Sequence, residues 1–428
     1  MSRNRQTSLV SLSLIGLAVL SLIVIGFAFP NQSLEASLRG ISIWWDVLFP
    51  ALFPFFVISE LLLGFGIVHF IGTLFDPMMR PLFRIPGIGG FVMAMGFASG
   101  YPIGAKLTAS LWEQKLVNRE EGERLVAFTT SSDPIFLIGA VSVGFFHDAS
   151  LALILGTAHY GGAMLIALLM RFHGAKTGQL SASSDTREER RKRTTSIWLQ
   201  AFNAMHEARV KDGRSLGLLL SEAIGKSLNL MIVVGGLVVF FSVLLQLLTS
   251  IGTMQVLLSF IERLLTLVGI PHTLAEPIIN GLFEVTLGAK SAGSVGNIAL
   301  VYKLAAAAFV LSWGGLSVHA QVVSLLSHTN MRYGPFLRAR FLHGIIAAIL
   351  VLLLWQPFTE MQLTSSVFQS INSPSIHSGI IGLDHLLHYF PISLLLFGAA
   401  FALLFCLYCV HFIFRIVFRT VIDYDVKR

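Results

Sequence analysis

Two lysines stand inside apolar stretches of the sequence, and each follows a Gly-Ala pair. Lys106 ends the segment GFASGYPIGAK, and Lys290 ends the segment GLFEVTLGAK. A lysine at the centre of a membrane span costs about 2.5 to 3.5 kcal/mol or more, so such residues usually belong to ion or substrate pathways. We therefore expect two cations that bind a small anion without covalent chemistry. Alternatively, each lysine snorkels to an interface, or Lys290 forms a structural pair with Glu284.

Helix-breaking residues accompany both lysines. The run GYPIG at 100–104 precedes Lys106, and two later apolar stretches are broken by SSDP at 131–134 and SWGG at 312–315. Backbone N–H groups freed at the start of a half-helix attract anions. His319 and Gln321 follow the last break and are further candidates for the cavity wall. The predicted substrate contacts are Ser99, Gly100, Tyr101, Gly104, Lys106, Ser131, Ser132, Asp133, Glu284, Gly288, Lys290, Ser291, Ser312 and Gly314.

The elements that position these residues are predicted to be membrane helices. Apolar residues make up 54% of the chain and charged residues 12%, and the mean hydropathy is +0.76. About 20 helical residues cross a hydrocarbon core of roughly 30 Å. We predict an all-α polytopic membrane protein with about 8 transmembrane helices. They lie near 8–29, 45–74, 122–146, 149–171, 222–249, 303–327, 341–357 and 386–414.

The distribution of Lys and Arg predicts the orientation. Ten of them lie between 171 and 214, whereas none lies between Phe341 and Phe414. Because basic residues collect in cytoplasmic loops, 171–214 is predicted to be a cytoplasmic linker, and 357–385 an external loop. Both termini are then cytoplasmic. We assign Arg332, Arg338 and Arg340 together to another cytoplasmic loop.

The same rule gives the first lysine segment an unusual topology. Gly87–Trp112 has basic residues on both flanks, so a single crossing would place one flank outside. A re-entrant hairpin that dips in from the cytoplasm and returns keeps both flanks inside. The alternative is a full crossing that violates the charge rule at one flank.

The sequence also contains an internal repeat. The two lysines are 184 residues apart, and the interrupted stretches Ala127–Val141 and Ala308–Val322 are 181 apart. Nearly equal offsets predict an inverted repeat with two re-entrant hairpins and two interrupted helices. The predicted domains are an N-terminal helix and connector (1–43), a first repeat (44–170), the basic linker (171–214), a second repeat (215–356), the external loop (357–385) and a C-terminal helix with tail (386–428).

Several other functions are disfavoured by the motifs. The net charge of +7 comes from membrane loops and does not indicate nucleic acid. Cys406 and Cys409 form a CxxC without a second pair at zinc spacing. Six histidines are assigned to loops or span ends and form no metal-ligand set: His69, His159, His272, His377, His385 and His388. With no hydrolase elbow or HExxH, we expect neither an enzyme nor a cofactor, and the coupling ion, H⁺ or Na⁺, is left open.

The segments SGYPIGAK (99–106) and ERLVAFTTSSDPIFLIGAVSVGFF (123–146) identify a family. From about Trp44 to Trp355 the chain resembles the YlbJ (SpoVV) family of sporulation integral membrane proteins of endospore-forming bacteria. The resemblance implies two nucleoside-recognition Gate domains and an architecture similar to concentrative nucleoside transporters, in which hairpin tips and unwound helices form the substrate site. Transporters of that architecture are commonly trimeric, which leaves a homo-oligomer open.

The resemblance also implies a substrate and a location. It implies transport of dipicolinic acid, made in the mother cell, across the outer forespore membrane. Dipicolinate is a planar ring with two carboxylates, which two lysines and two helix breaks suit well, and Tyr101 could stack on the ring. The alternatives are a nucleoside-type transporter and a non-transporting structural or signalling protein of sporulation. The only other partner expected is the lipid bilayer.

Overall fold

The computed structural model describes residues 16–17, 20–174 and 196–370, and within these ranges the chain is helical and forms no strand. The predicted span near 386–414, residues 175–195 of the basic linker and residues 371–385 of the external loop lie outside the described residues. The predicted span near 8–29 is described only in part.

We number the helices of the described residues in chain order. They are α1 (Pro30–Gly64), α2 (Ile67–Met78), α3 (Gly89–Ser99), α4 (Tyr101–Glu113), α5 (Arg119–Thr129), α6 (Phe136–Phe145), α7 (Leu151–Met170), α8 (Ile197–Asp212), α9 (Leu216–Ser250), α10 (Thr253–Leu267), α11 (Ala275–Phe283), α12 (Val285–Ser294), α13 (Leu300–Trp313), α14 (Gly315–Leu326) and α15 (Tyr333–Ser370). A π-helical turn interrupts α1 at Ile43–Leu48, and α6 is π-helical throughout.

Among the described residues, five helices are long and apolar enough to cross a membrane by length and composition. They are Pro30–Gly64, Leu151–Met170, Leu216–Ser250, Leu300–Leu326 and Tyr333–Glu360. The all-α membrane class predicted from hydropathy is therefore confirmed. The stretch near 122–146, predicted to be interrupted at 131–134, consists of two shorter helices, α5 and α6.

The chain leaves helical geometry at four places that matter for the site. Gly100 separates α3 from α4 and adopts φ = 86°, and Gly314 separates α13 from α14 with φ = 88°. Glycine adopts these backbone angles without the strain that a side chain would bring. Residues 130–133 separate α5 from α6, and Glu284, in extended conformation, separates α11 from α12. Four interrupted helix pairs result.

Glycines let the interrupted helices approach one another closely. A methyl group built on Gly288 would lie 2.3 Å from Cα of Gly281, so α11 and α12 pack backbone to backbone. The same methyl would lie 2.9 Å from the side chain of Val310 on α13. In the first half, a methyl on Gly104 of α4 would lie 2.6 Å from the carbonyl oxygen of Thr129, at the end of α5. Each lysine motif thus packs on the half-helix that precedes a break.

Helix α15 packs against α13 and α7 and brings polar residues into the interior. Gly344 permits the contact with α13, since a methyl there would lie 2.8 Å from the ring of Phe309. Ala347 and Val351 follow along the helix and are fully buried in the largest apolar core. The residues of α15 one turn before Gly344 are thereby placed between the two interrupted helices.

The glycine packing generates a prediction. We expect Gly288→Ala to lower the thermal unfolding temperature in detergent, because the new methyl would collide with the backbone of Gly281 and overpacking costs about 1 to 3 kcal/mol. Gly236→Ala in α9 is the control, since nothing lies within 4 Å of its added methyl. The control should be neutral or slightly stabilising. Equal unfolding temperatures for the two variants would contradict the close packing of α11 and α12.

Candidate functional site

The two interrupted helical stretches, α5–α6 and α13–α14, meet at a buried histidine, His159 of α7. Its Nε2 accepts hydrogen bonds from the Ser132 backbone N–H at 3.1 Å and from the Ser131 hydroxyl at 2.7 Å. Because a backbone N–H can only donate, the ring proton lies on Nδ1, which is 2.8 Å from the Ser312 hydroxyl oxygen. His159, Ser131 and Ser312 are all fully buried. One imidazole therefore joins the break after α5 to the end of α13.

A buried arginine, Arg340 of α15, joins the same two elements through their carbonyl groups. Its Nη1 donates to the Thr130 carbonyl oxygen at 2.5 Å, while Nε and Nη2 lie 3.5 Å from the carbonyl oxygens of Trp313 and Leu311. The guanidinium is completely buried. The last carbonyls of a helix carry partial negative charge and lack partners within the helix. Arg340 supplies a positive charge and donors to both ends at once.

A second buried histidine, His343 of α15, connects Arg340 with His159. Its Nδ1 accepts from Arg340 Nη1 at 3.0 Å, and its Nε2 donates to the His159 carbonyl oxygen at 2.8 Å. Gly162 makes room for the ring, because a methyl there would lie 2.9 Å from His343 Cδ2. The polar groups at the two breaks thus form one connected network inside an apolar bundle.

The carboxylates at the breaks cap the half-helices that follow them. Asp133 Oδ1 accepts the Phe136 N–H at 2.8 Å, and Glu284 Oε2 accepts the Leu287 N–H at 2.9 Å. Both carboxylates are buried. They occupy donors at half-helix starts that the sequence assigned to substrate. Among the described residues, Glu284 forms no ion pair with Lys290, and its other side-chain oxygen accepts from the Thr286 hydroxyl at 3.3 Å.

Two aromatic side chains link the helix pairs α3–α4 and α11–α12 to the end of α13. The Tyr101 hydroxyl, at the start of α4, donates to the Leu311 carbonyl oxygen at 2.8 Å. Trp313 Nε1 donates to the carbonyl oxygen of Leu282, near the end of α11, at 3.2 Å. Both interruptions at 100 and 284 therefore lie near the end of α13.

The predicted contacts differ in exposure. Those that are buried are Gly100, Gly104, Ser131, Ser132, Asp133, Glu284, Gly288, Ser312 and Gly314; Ser99, Tyr101, Lys290 and Ser291 are partly buried; and Lys106 is exposed. The structure brings Ser131, Ser132 and Ser312 together around His159. It leaves the two lysines on α4 and α12 at the margin of this centre.

An open groove of about 550 Å³ borders the tip of the first pair. Pro102 of α4 lines it together with residues of α9 and with Ser317, Gln321 and Ser324, which form a polar stripe on α14. Lys106 follows Pro102 by one helical turn on α4. His319, by contrast, is turned inward and bonds Tyr333 and the Trp313 carbonyl. The volume is ordinary for a small-molecule site.

The sequence reasoning missed the three residues that connect the breaks. It assigned Arg340 to a cytoplasmic loop and His159 to a loop or span end, and both assignments were wrong, since Arg340 lies within α15 and His159 at the middle of α7. It left His343 out. The available signal was an arginine and a histidine three residues apart at the start of a long apolar helix, on one face.

The role of His159 can be tested by stability. We expect His159→Phe to lower the unfolding temperature strongly, because Ser131, Ser312 and the Ser132 N–H lose a buried partner, and each such loss costs about 1 to 3 kcal/mol. The control is His206→Phe on the exposed side of α8. Thermal unfolding monitored by intrinsic fluorescence provides the measurement. An unchanged unfolding temperature in His159→Phe would show that the histidine does not hold the breaks together.

Comparison with known proteins agrees with this architecture. A family profile called Gate and described as nucleoside recognition matches residues 46–176. The chain is 43% identical over 356 residues to the sporulation integral membrane protein YlbJ of Bacillus subtilis (strain 168), across 82% of this chain and 85% of that relative. No solved structure matches it. Identity of this degree over most of both chains shows that the chain belongs to the YlbJ family of sporulation integral membrane proteins.

Proposed function

We propose that this protein transports a small organic anion across a membrane by alternating access. The observation that carries the proposal is the meeting of two interrupted transmembrane stretches around His159 and Arg340. Interrupted backbone is costly in a bilayer unless it is bonded within the protein or lines a cavity. Transporters retain such breaks because substrate binds there. The Gate match and the groove beside Pro102 support the same function.

The proposed transport path runs between the groove and the interrupted helices. In the present arrangement the polar centre is closed, since Ser131, Ser132 and Ser312 are fully buried. Tyr101 stands between this centre and Pro102 at the groove, with its hydroxyl bonded to the Leu311 carbonyl. A shift of α3 and α4 that breaks this bond would connect the groove to the centre.

We further propose that the two halves form an inverted repeat with re-entrant hairpins at α3–α4 and α11–α12. Support comes from equivalent packing: Gly104 contacts Thr129, and Gly288 contacts Val310. The two glycines are 184 residues apart and their partners 181, which are the offsets of the sequence repeat. Related hairpins entering from opposite sides provide the symmetry that alternating access uses.

Dipicolinic acid is the substrate we propose, moved from the mother cell across the outer forespore membrane with both termini cytoplasmic. The relative's name places the family in sporulation. Arg340, Lys106 and Lys290 provide positive charge inside or beside the interrupted helices, which suits a dicarboxylate better than a neutral nucleoside. A nucleoside is the second candidate, favoured by the description of the Gate profile.

Flux into proteoliposomes tests the function. Purified protein should move labelled dipicolinate into vesicles, and imposed proton and sodium gradients should identify the coupling ion. Protein-free vesicles are the control. Uptake of uridine but not dipicolinate would replace the proposed substrate by a nucleoside. Uptake of neither would favour a structural or signalling role.

The lysines of the two Gly-Ala-Lys motifs, Lys106 and Lys290, give a separate prediction. If both cations serve the anion path, Lys106→Ala or Lys290→Ala should abolish dipicolinate uptake while the protein still reaches the membrane. Lys211→Ala, an exposed lysine of α8, is the matched control and should transport normally. Near-normal uptake by both variants would contradict the two-lysine site. The positive charge of the transport path would then have to come from another residue.

A further inference from the structure

Arg340 is a buried charge without a carboxylate partner among the residues that the structure describes. Within the described part of the chain, no Asp or Glu oxygen forms an ion pair with its guanidinium, which is fully buried. Arginine is almost never fully buried unless it is paired, because a buried charge without a counter-ion is costly. The buried carboxylate of Glu123 shows the usual arrangement of a buried charge, since it pairs with the guanidinium of Arg332 at 2.8 Å. Neutral carbonyl groups do not balance the charge of Arg340.

The hydrogen bonds of Arg340 divide the guanidinium into a bound edge and a weakly bound edge. Nη1 is held by the Thr130 carbonyl at 2.5 Å and by His343 at 3.0 Å. Nε and Nη2 have their carbonyl partners, Trp313 and Leu311, at 3.5 Å, where a hydrogen bond contributes little. The Nε and Nη2 donors lie side by side on one edge, with the spacing that a carboxylate accepts in bidentate fashion.

The position of Tyr101 controls access to that edge. Its hydroxyl donates to the Leu311 carbonyl oxygen, the same oxygen that lies 3.5 Å from Arg340 Nη2. Tyr101 is partly buried, and its neighbour Pro102 lines the open groove. Movement of the tyrosine tip would therefore uncover the weakly bound edge from the side of the groove.

We propose that Arg340 is the principal carboxylate-binding residue of the transport site. One carboxylate of the substrate pairs with Nε and Nη2 when Tyr101 releases Leu311, while Nη1 stays on Thr130 and keeps the guanidinium in place. The anion supplies the missing counter-charge. This assignment rests on the proposed transport of an organic anion, and it defines the substrate as one with at least one carboxylate.

A binding experiment with matched variants tests the assignment. Kd is measured for dipicolinate and for its neutral isostere pyridine-2,6-dicarboxamide in Arg340→Gln, Arg340→Lys and the control Arg338→Gln, whose arginine is exposed on the same helix. Loss of a charge-assisted pair in Arg340→Gln should raise the dipicolinate Kd at least about tenfold. The Kd for the dicarboxamide should rise much less in the same variant. The dipicolinate Kd of Arg340→Lys should lie between those of wild type and Arg340→Gln. The Kd of Arg338→Gln should equal that of wild type.

Wild-type protein provides a second test that does not depend on the variants folding. Phenylglyoxal modifies arginine, and its extent at Arg340 and Arg338 is read by mass spectrometry of peptides. Dipicolinate should reduce modification of Arg340 and leave that of Arg338 unchanged. Equal modification of Arg340 with and without dipicolinate, or an Arg340→Gln variant with the wild-type Kd, would overturn the assignment. If wild type neither binds nor transports dipicolinate, it is the proposed substrate that fails.

Discussion

The structure depends on the requirement that backbone groups freed by an interrupted helix find partners away from lipid. Carbonyl groups at the ends of α5 and α13 have lost their helical partners, and Arg340 donates to both ends. His159 joins the serines at those ends, since it accepts from Ser131 and donates to Ser312. The long helix α15 packs against α13 and α7 and brings the arginine and His343 to these ends. Without the side chains of Arg340 and His159, the freed backbone groups would need either continuous helical geometry or water as a partner.

The way the breaks are satisfied bears on how the protein could change state. Asp133 and Glu284 cap the following half-helices with short hydrogen bonds, so a substrate anion would not have to bind those N–H groups. The bonds that substrate could replace are the long ones, on the Nε and Nη2 edge of Arg340. A typical hydrogen bond contributes about 0.5 to 1.5 kcal/mol net, so exchanging a weak one for a charged ligand needs little rearrangement energy. The closed centre is then stable without substrate and still able to open.

Local signals in the sequence were enough for part of this picture. Hydropathy indicated the helical membrane class, and the glycines, prolines and serines near 100, 131 and 312 indicated where helices end. The connecting residues were not predictable in the same way, because Arg340 and His159 are 181 residues apart and act only when α7 and α15 lie side by side. Charge counting treats every arginine near a helix end as a loop residue. It cannot tell an inward face from a cytoplasmic one.

Polar contacts around Glu123, away from the polar centre, hold α5, α7 and the start of α15 together. Glu123 of α5 accepts from Arg332 Nη2 and its backbone N–H, both at 2.8 Å, and from His173, just beyond α7, at 2.6 Å. A buried carboxylate with three charged or polar partners holds α5, α7 and the start of α15 as one unit. Tyr101 reaches the centre through a neutral hydroxyl on the tip of α4. The neutral bond of Tyr101 is cheaper to break than the network around Glu123, so the proposed shift of α3 and α4 would have to loosen the packing of Gly104 on Thr129 and leave the ion pairs of Glu123 intact.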